Sequence, residues 1–256
     1  MKALLDLFED FRALGFKFLL ARVRAKLGHA AFRVRLPNGV SILVRAGDSD
    51  IHTLRQTFGK VEYRIESLAA RKVLDGHYDA IVASGKVPVV VDAGANIGAA
   101  SIWLKKRFPA ATVVAVEPDP QNYAMLRANV ESEPAIIPCQ AAIGSENGFV
   151  STINPGQSWG IQTERASEGC PVVTIADAVA LVDNGELFLA KIDIEGFESD
   201  LFASNLGWLD TARAVYVEPH DWMMPGKGTS HNFQKAFGER NFEFFINGEN
   251  LLYVRF

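Results

Sequence analysis

The stretch Val89–Gly98, which reads VVVDAGANIG, decides the fold of this chain. Three β-branched residues lead into an acid, a glycine-bearing turn follows, and a helical pattern begins after the turn. A short apolar run bounded by turn residues is typical of a strand that is buried on both faces of a parallel sheet. Asp92 and Gly94 leave the carboxyl end of that strand, which is where open α/β sheets bind their ligands. The stretch therefore predicts a nucleotide-type pocket at a strand end.

The alternation of strand and helix continues from residue 86 to the end of the chain. We predict parallel strands over residues 88–93, 111–117, 135–142, 187–194 and 212–218, and helices over 97–108, 120–130, 175–183 and 197–203. This alternation predicts right-handed crossovers and one doubly wound, mostly parallel sheet in an α/β domain. Asn247-Gly248 separates two apolar runs and predicts an antiparallel C-terminal hairpin. The segment 154–171 has no regular apolar pattern and is predicted to be a loop.

Residues 1–85 are predicted to form an N-terminal extension in front of a domain that covers residues 86–256. The extension would contain a helix over residues 2–27, a hairpin over 31–44, and helical segments over 51–56 and 61–83, the last with a break near Asp75-Gly76. The apolar stripe of the first helix consists of Leu5, Phe8, Phe16, Leu19, Leu20, Val23 and Leu27. Two interpretations of this stripe stay open: it docks on the domain or on a second subunit, or it rests on a membrane surface.

The composition is that of an ordinary globular protein, with 48% apolar and 22% charged residues in a chain of 256. A net charge of −4 provides no basic excess for phosphates and argues against a nucleic-acid partner. Cys139 and Cys170 lack the spacing of a metal site and are interpreted as reduced thiols. The charged residues among the first 27 argue against a signal peptide, so we expect a cytoplasmic protein.

The strand ends help to choose between nucleotides. Gly94 and Gly98 are spaced G-x-x-x-G, so the middle glycine of the dinucleotide fingerprint, which lets the backbone approach a pyrophosphate, is missing. Asp92 would repel a pyrophosphate and attract an ammonium group, which favours S-adenosylmethionine over NAD. Glu117 ends the next strand and can accept hydrogen bonds from the ribose hydroxyls of either ligand. Asp92 as a helix N-cap and Glu117 as a solvated strand end remain alternatives.

Three segments together resemble the FkbM family of S-adenosylmethionine-dependent methyltransferases. They read DAGANIG at 92–98, VEP at 116–118 and AKIDIEGFE at 190–198, and Ser49-Asp50 and Glu218-Pro219-His220 are similar to further segments of the family. The resemblance covers residues 45–250. It implies a class I methyltransferase fold, S-adenosylmethionine as the donor, and O-methylation of a sugar or natural-product hydroxyl. The cofactor-binding residues that the strand ends and the resemblance indicate are Asp92, Gly94, Asn96, Gly98, Glu117, Pro118, Ala142, Asp193, Ser49 and Asp50.

Charged residues at the ends of the last two parallel strands are the candidate catalytic groups. Asp193 and Glu195 share a strand face, and Glu218 and His220 would lie beside them if the two strands are neighbours. A hydroxyl acceptor must lose a proton, and histidine has a suitable pKa, so we hypothesise that His220 is the general base. Asp193 or Glu195 would orient His220 or the acceptor. Two alternatives remain open: His220 is a structural turn residue, or Asp193, Glu195 and Glu198 bind a divalent cation, although we predict no metal.

The acceptor has no readable signature in the sequence. Its contacts are expected from the loop 154–171, where Trp159 either lines the pocket or anchors the loop, and from the segment 221–232, which contains Trp222. We predict a small-molecule or glycan acceptor, and a membrane contact or a homodimer through the N-terminal helix. Two other functions stay open, an NAD-dependent oxidoreductase and a methyltransferase-like binding protein that has lost its activity.

Overall fold

The computed structural model describes residues 2–28, 30–153 and 162–256. The strands, numbered along the chain, are β1 (Phe32–Arg35), β2 (Ser41–Val44), β3 (Val87–Ala93), β4 (Thr112–Val116), β5 (Ile136–Cys139), β6 (Ala142–Ile143), β7 (Gly148–Ile153), β8 (Gln162–Ala166), β9 (Cys170–Val173), β10 (Gly185–Ile192), β11 (Ala214–Val217), β12 (Glu243–Asn247) and β13 (Asn250–Val254). The helices are α1 (Lys2–Leu27), α2 (Asp50–Leu54), α3 (Leu68–Ala83), α4 (Ala99–Arg107), α5 (Pro120–Val130), α6 (Ile175–Ala180), α7 (Glu198–Leu201), α8 (Trp208–Thr211) and α9 (His231–Gly238).

A seven-stranded sheet forms the centre of the molecule, in the order β12-β13-β11-β10-β3-β4-β5. The pairs from β11 to β5 are parallel, and β13 runs antiparallel to both of its neighbours. The predicted doubly wound α/β sheet of the class I methyltransferase type, with its antiparallel C-terminal hairpin, is therefore confirmed.

Strand β3 is buried on both faces, as its apolar run predicts. Val89 and Val91 belong to one core layer, which packs against α6, α7 and α9. Val90 belongs to the layer on the other face, which packs against α3 and α4. Because side chains alternate along a strand, only a run without polar residues can fill both layers.

The chain reverses direction across the sheet next to β3. It continues from β3 to β4 and β5 on one side, and β10 and β11 then lie on the other side. Open α/β sheets bind ligands in the crevice that such a reversal leaves at the carboxyl ends of the strands. The ends of β3, β4 and β10 are therefore the expected place for a site.

The N-terminal helix docks through a different face from the predicted one. Leu14, Phe18, Ala21 and Ala25 are buried against the hairpin β1–β2 and the start of α4. The residues of the predicted stripe whose exposure is described mostly face outward: Phe8, Phe16, Leu20, Val23 and Leu27 are exposed, and Leu19 is half-buried. The helical backbone is also interrupted at Gly15, which has φ 77° and ψ 173°. The helix therefore docks on the protein, as one interpretation held, but through residues other than the predicted stripe.

Other elements of the N-terminal extension differ from expectation. Helix α2 continues as a π-helical segment over Arg55–Lys60, and residues 61–67 are not helical. Helix α3 runs through Asp75-Gly76 without a break, because Ser67 caps its first turn and Leu74 and Ile81 are buried on either side of the glycine. The domain boundary at residue 86 remains a prediction.

The segment after β5 forms a second, smaller sheet in the order β6-β9-β7-β8. The predicted strand 135–142 is thus divided between two sheets, and the end of the predicted loop 154–171 contains β8 and the start of β9. Trp159 lies outside the described residues. No helix in the described part of the chain has the length and apolar character needed to cross a membrane.

Candidate active site

Gly94 joins the ends of three strands. Its φ is 76°, and a Cβ atom at this position would lie 1.7 Å from the carbonyl oxygen of Asp193. The amides of Gly94 and Ala95 both donate to the carbonyl of Val116, each at 3.0 Å, and the Lys191 ammonium donates to the Gly94 carbonyl at 2.7 Å. Only glycine allows this close approach and this backbone angle together.

Lys191 and Asp92 form a buried ion pair behind this turn. They are register partners on β10 and β3, and Lys191 Nζ lies 3.1 Å from Asp92 Oδ1 and 3.2 Å from Asp193 Oδ2. Asp92 is fully buried and also accepts a hydrogen bond from Ser101 Oγ at 2.5 Å. Its carboxylate is committed to these two partners, which corrects the prediction that it contacts a ligand ammonium directly. Asp92 instead fixes the lysine that holds Gly94 and Asp193 in place.

A first cavity of about 550 Å³ opens beside the end of β4. It is lined by most of the predicted cofactor residues, namely Gly94, Asn96, Glu117, Pro118, Ala142 and Asp193. Glu117 is almost buried and accepts hydrogen bonds from the amides of Asn96 at 2.8 Å and Asp119 at 3.0 Å. Burial outweighs these hydrogen bonds and raises the pKa of Glu117 to about 7. Asn122 and Phe197 also line this cavity; Phe197 belongs to the segment 190–198 that carries the family resemblance, whereas no feature of the sequence had distinguished Asn122.

Two predicted cofactor residues have other roles. Gly98 has φ 85° at the start of α4. A Cβ atom there would lie 2.8 Å from Leu126 Cδ1, so this glycine allows α4 and α5 to pack closely. Asp50 is fully buried and accepts a hydrogen bond from Arg45 at 2.7 Å. Ser49, next to it, lines a second cavity. The predictions of ligand contacts for Gly98 and Asp50 are therefore corrected to structural roles.

The second cavity, of about 1050 Å³, lies between the sheet and the N-terminal extension. Its lining contains Thr53, Gln56 and Thr57 from α2 and the π-helical segment, and Trp222 from the segment predicted to contact the acceptor. The remaining lining residues are Ser49, His52, Glu62, Tyr63, Gly94, Ala95, Asn96, Ala100, Lys191, Asp193, Glu195, Glu218 and Glu249. π-Helical turns often occur at functional sites, and this local geometry leaves no mark on the apolar pattern of a sequence.

The second cavity has an acidic lining. Burial, reinforced by nearby carboxylates, raises the pKa of Glu62 to about 7 and that of Glu218 to about 9. Lys191 also faces the cavity, but its ammonium is already paired with Asp92 and Asp193. Near neutral pH, Glu218 is therefore largely protonated and Glu62 partly so, and a protonated carboxyl group can both donate and accept hydrogen bonds, which suits neutral polar ligands.

Four residues line both cavities: Gly94, Asn96, Asp193 and Glu195. We call these four residues the shared wall. Asn96 and Glu195 have left-handed backbone angles, with φ 49° and 54°. A ligand in either cavity would therefore lie beside this wall.

His220 stands behind the shared wall and is 1% exposed. Its Nδ1 lies 2.8 Å from Glu198 Oε1, and its Nε2 lies 3.4 Å from Glu195 Oε2 and 3.7 Å from Asp193 Oδ1. Burial opposes the charged imidazole, but the hydrogen bond to Glu198 and the three carboxylate charges outweigh it and raise the pKa of His220 to about 10. Both ring nitrogens of His220 already face carboxyl groups, and a protonated imidazole cannot accept a proton, so this arrangement favours a positioning role over the predicted role of general base. His220 links Glu198, Glu195 and Asp193.

Glu195 is a better candidate for the general base than His220, because it lines the cavities. It lines both cavities, and its Oε2 is buried without a hydrogen-bond partner. Burial and the charge of Asp193 raise the pKa of Glu195 to about 8, although His220 opposes the shift. A carboxylate that faces a ligand cavity and becomes ionised as the pH approaches 8 is suited to take a proton in that pH range.

The alternative of a divalent cation involves a different set of residues from the one predicted. Glu198 is fully buried on the far side of His220. Among the described residues, Asp193, Glu195 and His220 have potential ligand atoms that all lie within 4.8 Å of one another. A cation bound by Asp193, Glu195 and His220 would therefore have to replace a proton on His220.

Comparison with known proteins gives one family match over most of the chain and several weaker similarities. Residues 92–244 match the model of a family described as the methyltransferase FkbM domain. Methyltransferase sdnD of Sordaria araneosa is 43% identical over 49 residues, and the chain spans only 19% of the length of this curated relative and aligns over 19% of its own. Monomeric WbdD has a TM-score of 0.41 at 16% identity, with 80% of this chain and 44% of that chain covered. Precorrin-6y C5,15-methyltransferase from Geobacter metallireducens has a TM-score of 0.37 at 11% identity, with 67% of this chain and 81% of that chain covered.

Proposed function

Because the chain belongs to the FkbM methyltransferase family, whose model matches residues 92–244, we propose that it transfers the methyl group of S-adenosylmethionine to a hydroxyl oxygen of a sugar or natural-product acceptor. One observation carries the proposal: two cavities meet at the shared wall, Gly94, Asn96, Asp193 and Glu195. Methyl transfer is an in-line displacement, so donor and acceptor must approach each other from opposite sides of one methyl group. Family membership implies S-adenosylmethionine as the donor and favours this chemistry over that of an NAD-dependent oxidoreductase.

The first cavity is the proposed donor site. Glu117 would accept hydrogen bonds from the ribose hydroxyls, as acids at this strand end do in nucleotide-binding folds. Phe197 and Ala142 offer apolar surface for the adenine. The sulfonium would then lie at the shared wall, where the carboxylates of Asp193 and Glu195 favour its positive charge.

The second cavity is the proposed acceptor site. Its threonines and Gln56 provide hydrogen-bonding groups for hydroxyls, and Tyr63 and Trp222 provide apolar contact. Glu62 and Glu218, whose raised pKa values favour the protonated form, add groups that can donate hydrogen bonds to acceptor oxygens. A neutral polyhydroxylated molecule fits this lining best.

Glu195 is the proposed general base. As the acceptor oxygen forms its bond to the methyl carbon, the bond between that carbon and the sulfonium breaks and its electron pair stays on sulfur. The hydroxyl proton passes to the Glu195 carboxylate, and the products are a methyl ether and S-adenosylhomocysteine. His220 and Lys191 would hold Glu195 and Asp193 in position through their charges.

The test is to incubate the protein with S-adenosylmethionine and a panel of neutral sugars and polyketide hydroxyls. We expect a mass gain of one methyl group and an equal amount of S-adenosylhomocysteine. With a substrate found in this way, Glu195→Gln should lower kcat by about 10²–10⁴-fold, since general-base catalysis contributes on this scale.

Glu239→Gln, an exposed change after α9, is the matched control and should retain full activity. Wild-type turnover by Glu195→Gln would refute the assignment of the base. Stabilisation of the protein by NAD but not by S-adenosylmethionine would refute the proposed reaction.

A further inference from the structure

The second half of α1 carries an apolar stripe that faces away from the protein. Phe16, Leu20, Val23 and Leu27 follow the spacing i, i+4, i+7 and i+11, which places them on one side of a helix. They are 61%, 54%, 55% and 76% exposed. Singly exposed apolar residues are common on protein surfaces, but a continuous helical stripe of four indicates a binding face.

Positive charge borders this stripe. The segment Phe16–Leu27 contains Lys17, Arg22, Arg24 and Lys26 and no acidic residue. Arg22 pairs with the buried Asp10, whereas Lys17, Arg24 and Lys26 are exposed. The whole chain has a net charge of −4, so this basic segment stands out from the rest of the molecule.

The opposite side of the helix is fixed to the protein. Phe18, Ala21 and Ala25 are buried in the core of the N-terminal extension, and Arg55 donates a hydrogen bond to Asp10 at 2.5 Å. The outward stripe is thus already helical and oriented before it meets a partner. A preorganised face does not have to be ordered when it binds, which favours association.

We propose that the outward stripe of α1, Phe16, Leu20, Val23 and Leu27, binds the surface of an anionic lipid bilayer. The four apolar side chains enter the region between headgroups and acyl chains. Lys17 and Lys26 extend toward lipid phosphates, as long basic side chains do at membrane interfaces, whereas the Arg24 guanidinium lies 4.4 Å from the centre of the Phe32 ring. A second copy of the chain is the less favourable occupant, because paired stripes would bring together two basic segments that contain no acid.

The test compares the binding of the full chain to vesicles of phosphatidylcholine with binding to vesicles that also contain phosphatidylglycerol. We expect flotation with the anionic vesicles and little with the neutral ones. Lys17→Gln with Lys26→Gln should weaken anionic binding roughly 25-fold, since each basic residue near an anionic surface contributes roughly fivefold. Leu20→Glu with Val23→Glu should abolish flotation.

Ile246→Glu is the matched control, because Ile246 is 76% exposed on the C-terminal hairpin, outside α1. It should float like the wild type. The α1 variants should keep the wild-type thermal midpoint, which shows that they fold. Equal binding to neutral vesicles, no binding to anionic vesicles, or a dimer in sedimentation that Leu20→Glu with Val23→Glu dissociates would each overturn the proposal.

Discussion

Replacing Gly94 by alanine is the most direct test of the way the site is assembled. The added Cβ would lie 1.7 Å from the carbonyl oxygen of Asp193. A nonbonded carbon–oxygen contact requires about 3.3 Å, so either the Gly94 turn or the end of β10 must move by more than an ångström. The residue that moves belongs to the shared wall in either case.

The expected cost has two parts. An alanine with φ near 76° costs about 1–2 kcal/mol, and overpacking against a backbone carbonyl adds about 1–3 kcal/mol. In a chain of this size, 1 kcal/mol corresponds to about 2–4 °C in the midpoint of thermal unfolding, so the sum predicts a fall of about 4–20 °C. Because a displacement of 1 Å in a catalytic geometry costs about 100-fold, kcat/KM should fall by at least that factor.

Gly39→Ala separates the cost of the backbone angle from the cost of overpacking. Gly39 has φ 81°, and nothing lies within 4 Å of a Cβ atom added there. This variant should show the backbone cost alone, a fall of about 2–8 °C by the same conversion, with unchanged kcat/KM. Thermal unfolding and methyl-transfer kinetics on both variants provide the comparison. If Gly94→Ala matches Gly39→Ala in midpoint and in kcat/KM, the argument that Gly94 holds the site together is refuted.

Three further predictions concern the charges of the site. Glu117→Ala should weaken S-adenosylmethionine binding by about 1.5–3 kcal/mol in calorimetry, because it removes a carboxylate acceptor; unchanged affinity would place the ribose elsewhere. Lys191→Met should destabilise the fold by about 3–5 kcal/mol in denaturant titrations, because Asp92 is left buried and unpaired, and adding Asp92→Asn should recover part of that loss. The raised pKa of Glu195 means that its carboxylate is ionised only above about pH 8, so kcat/KM should rise with pH up to that value. In His220→Gln the rise should persist but move to higher pH, because the cation that lowers the pKa of Glu195 is gone; disappearance of the rise would restore His220 as the base.

The fold could be predicted well where one strong pattern dominates. The run Val89–Val91 is apolar on both faces, and Pro120–Val130 begins with proline after a capping acid, so β3 and α5 have the expected positions. Strands β8 and β9 were missed, because Gln162–Ala166 is polar and its pairing with β7 depends on contacts between residues far apart in sequence. The continuous α3 was missed because buried contacts outweigh the weak helix preference of Gly76.

The site could be predicted as a set of residues but not as a set of roles. Asp193, Glu195 and His220 do meet, because β10 and β11 are neighbours. Their protonation depends on partners that the strand pattern does not reveal. Glu198 lies 2.8 Å from His220, and this hydrogen bond favours the protonated imidazole and raises its pKa. Asp92 likewise has its ligand-binding role replaced by an ion pair with the lysine opposite it in the sheet.

The left-handed backbone of Glu195 makes this position a compromise between stability and activity. With φ 54° and a buried oxygen that has no hydrogen-bond partner, a glutamate here is a strained choice for folding. Glycine would relieve the backbone strain and remove the buried oxygen that has no hydrogen-bond partner, so Glu195→Gly should unfold at a higher temperature while it loses methyl transfer. Selection for thermostability alone would therefore tend to discard the residue on which the chemistry depends, and engineering of this scaffold should keep position 195 fixed.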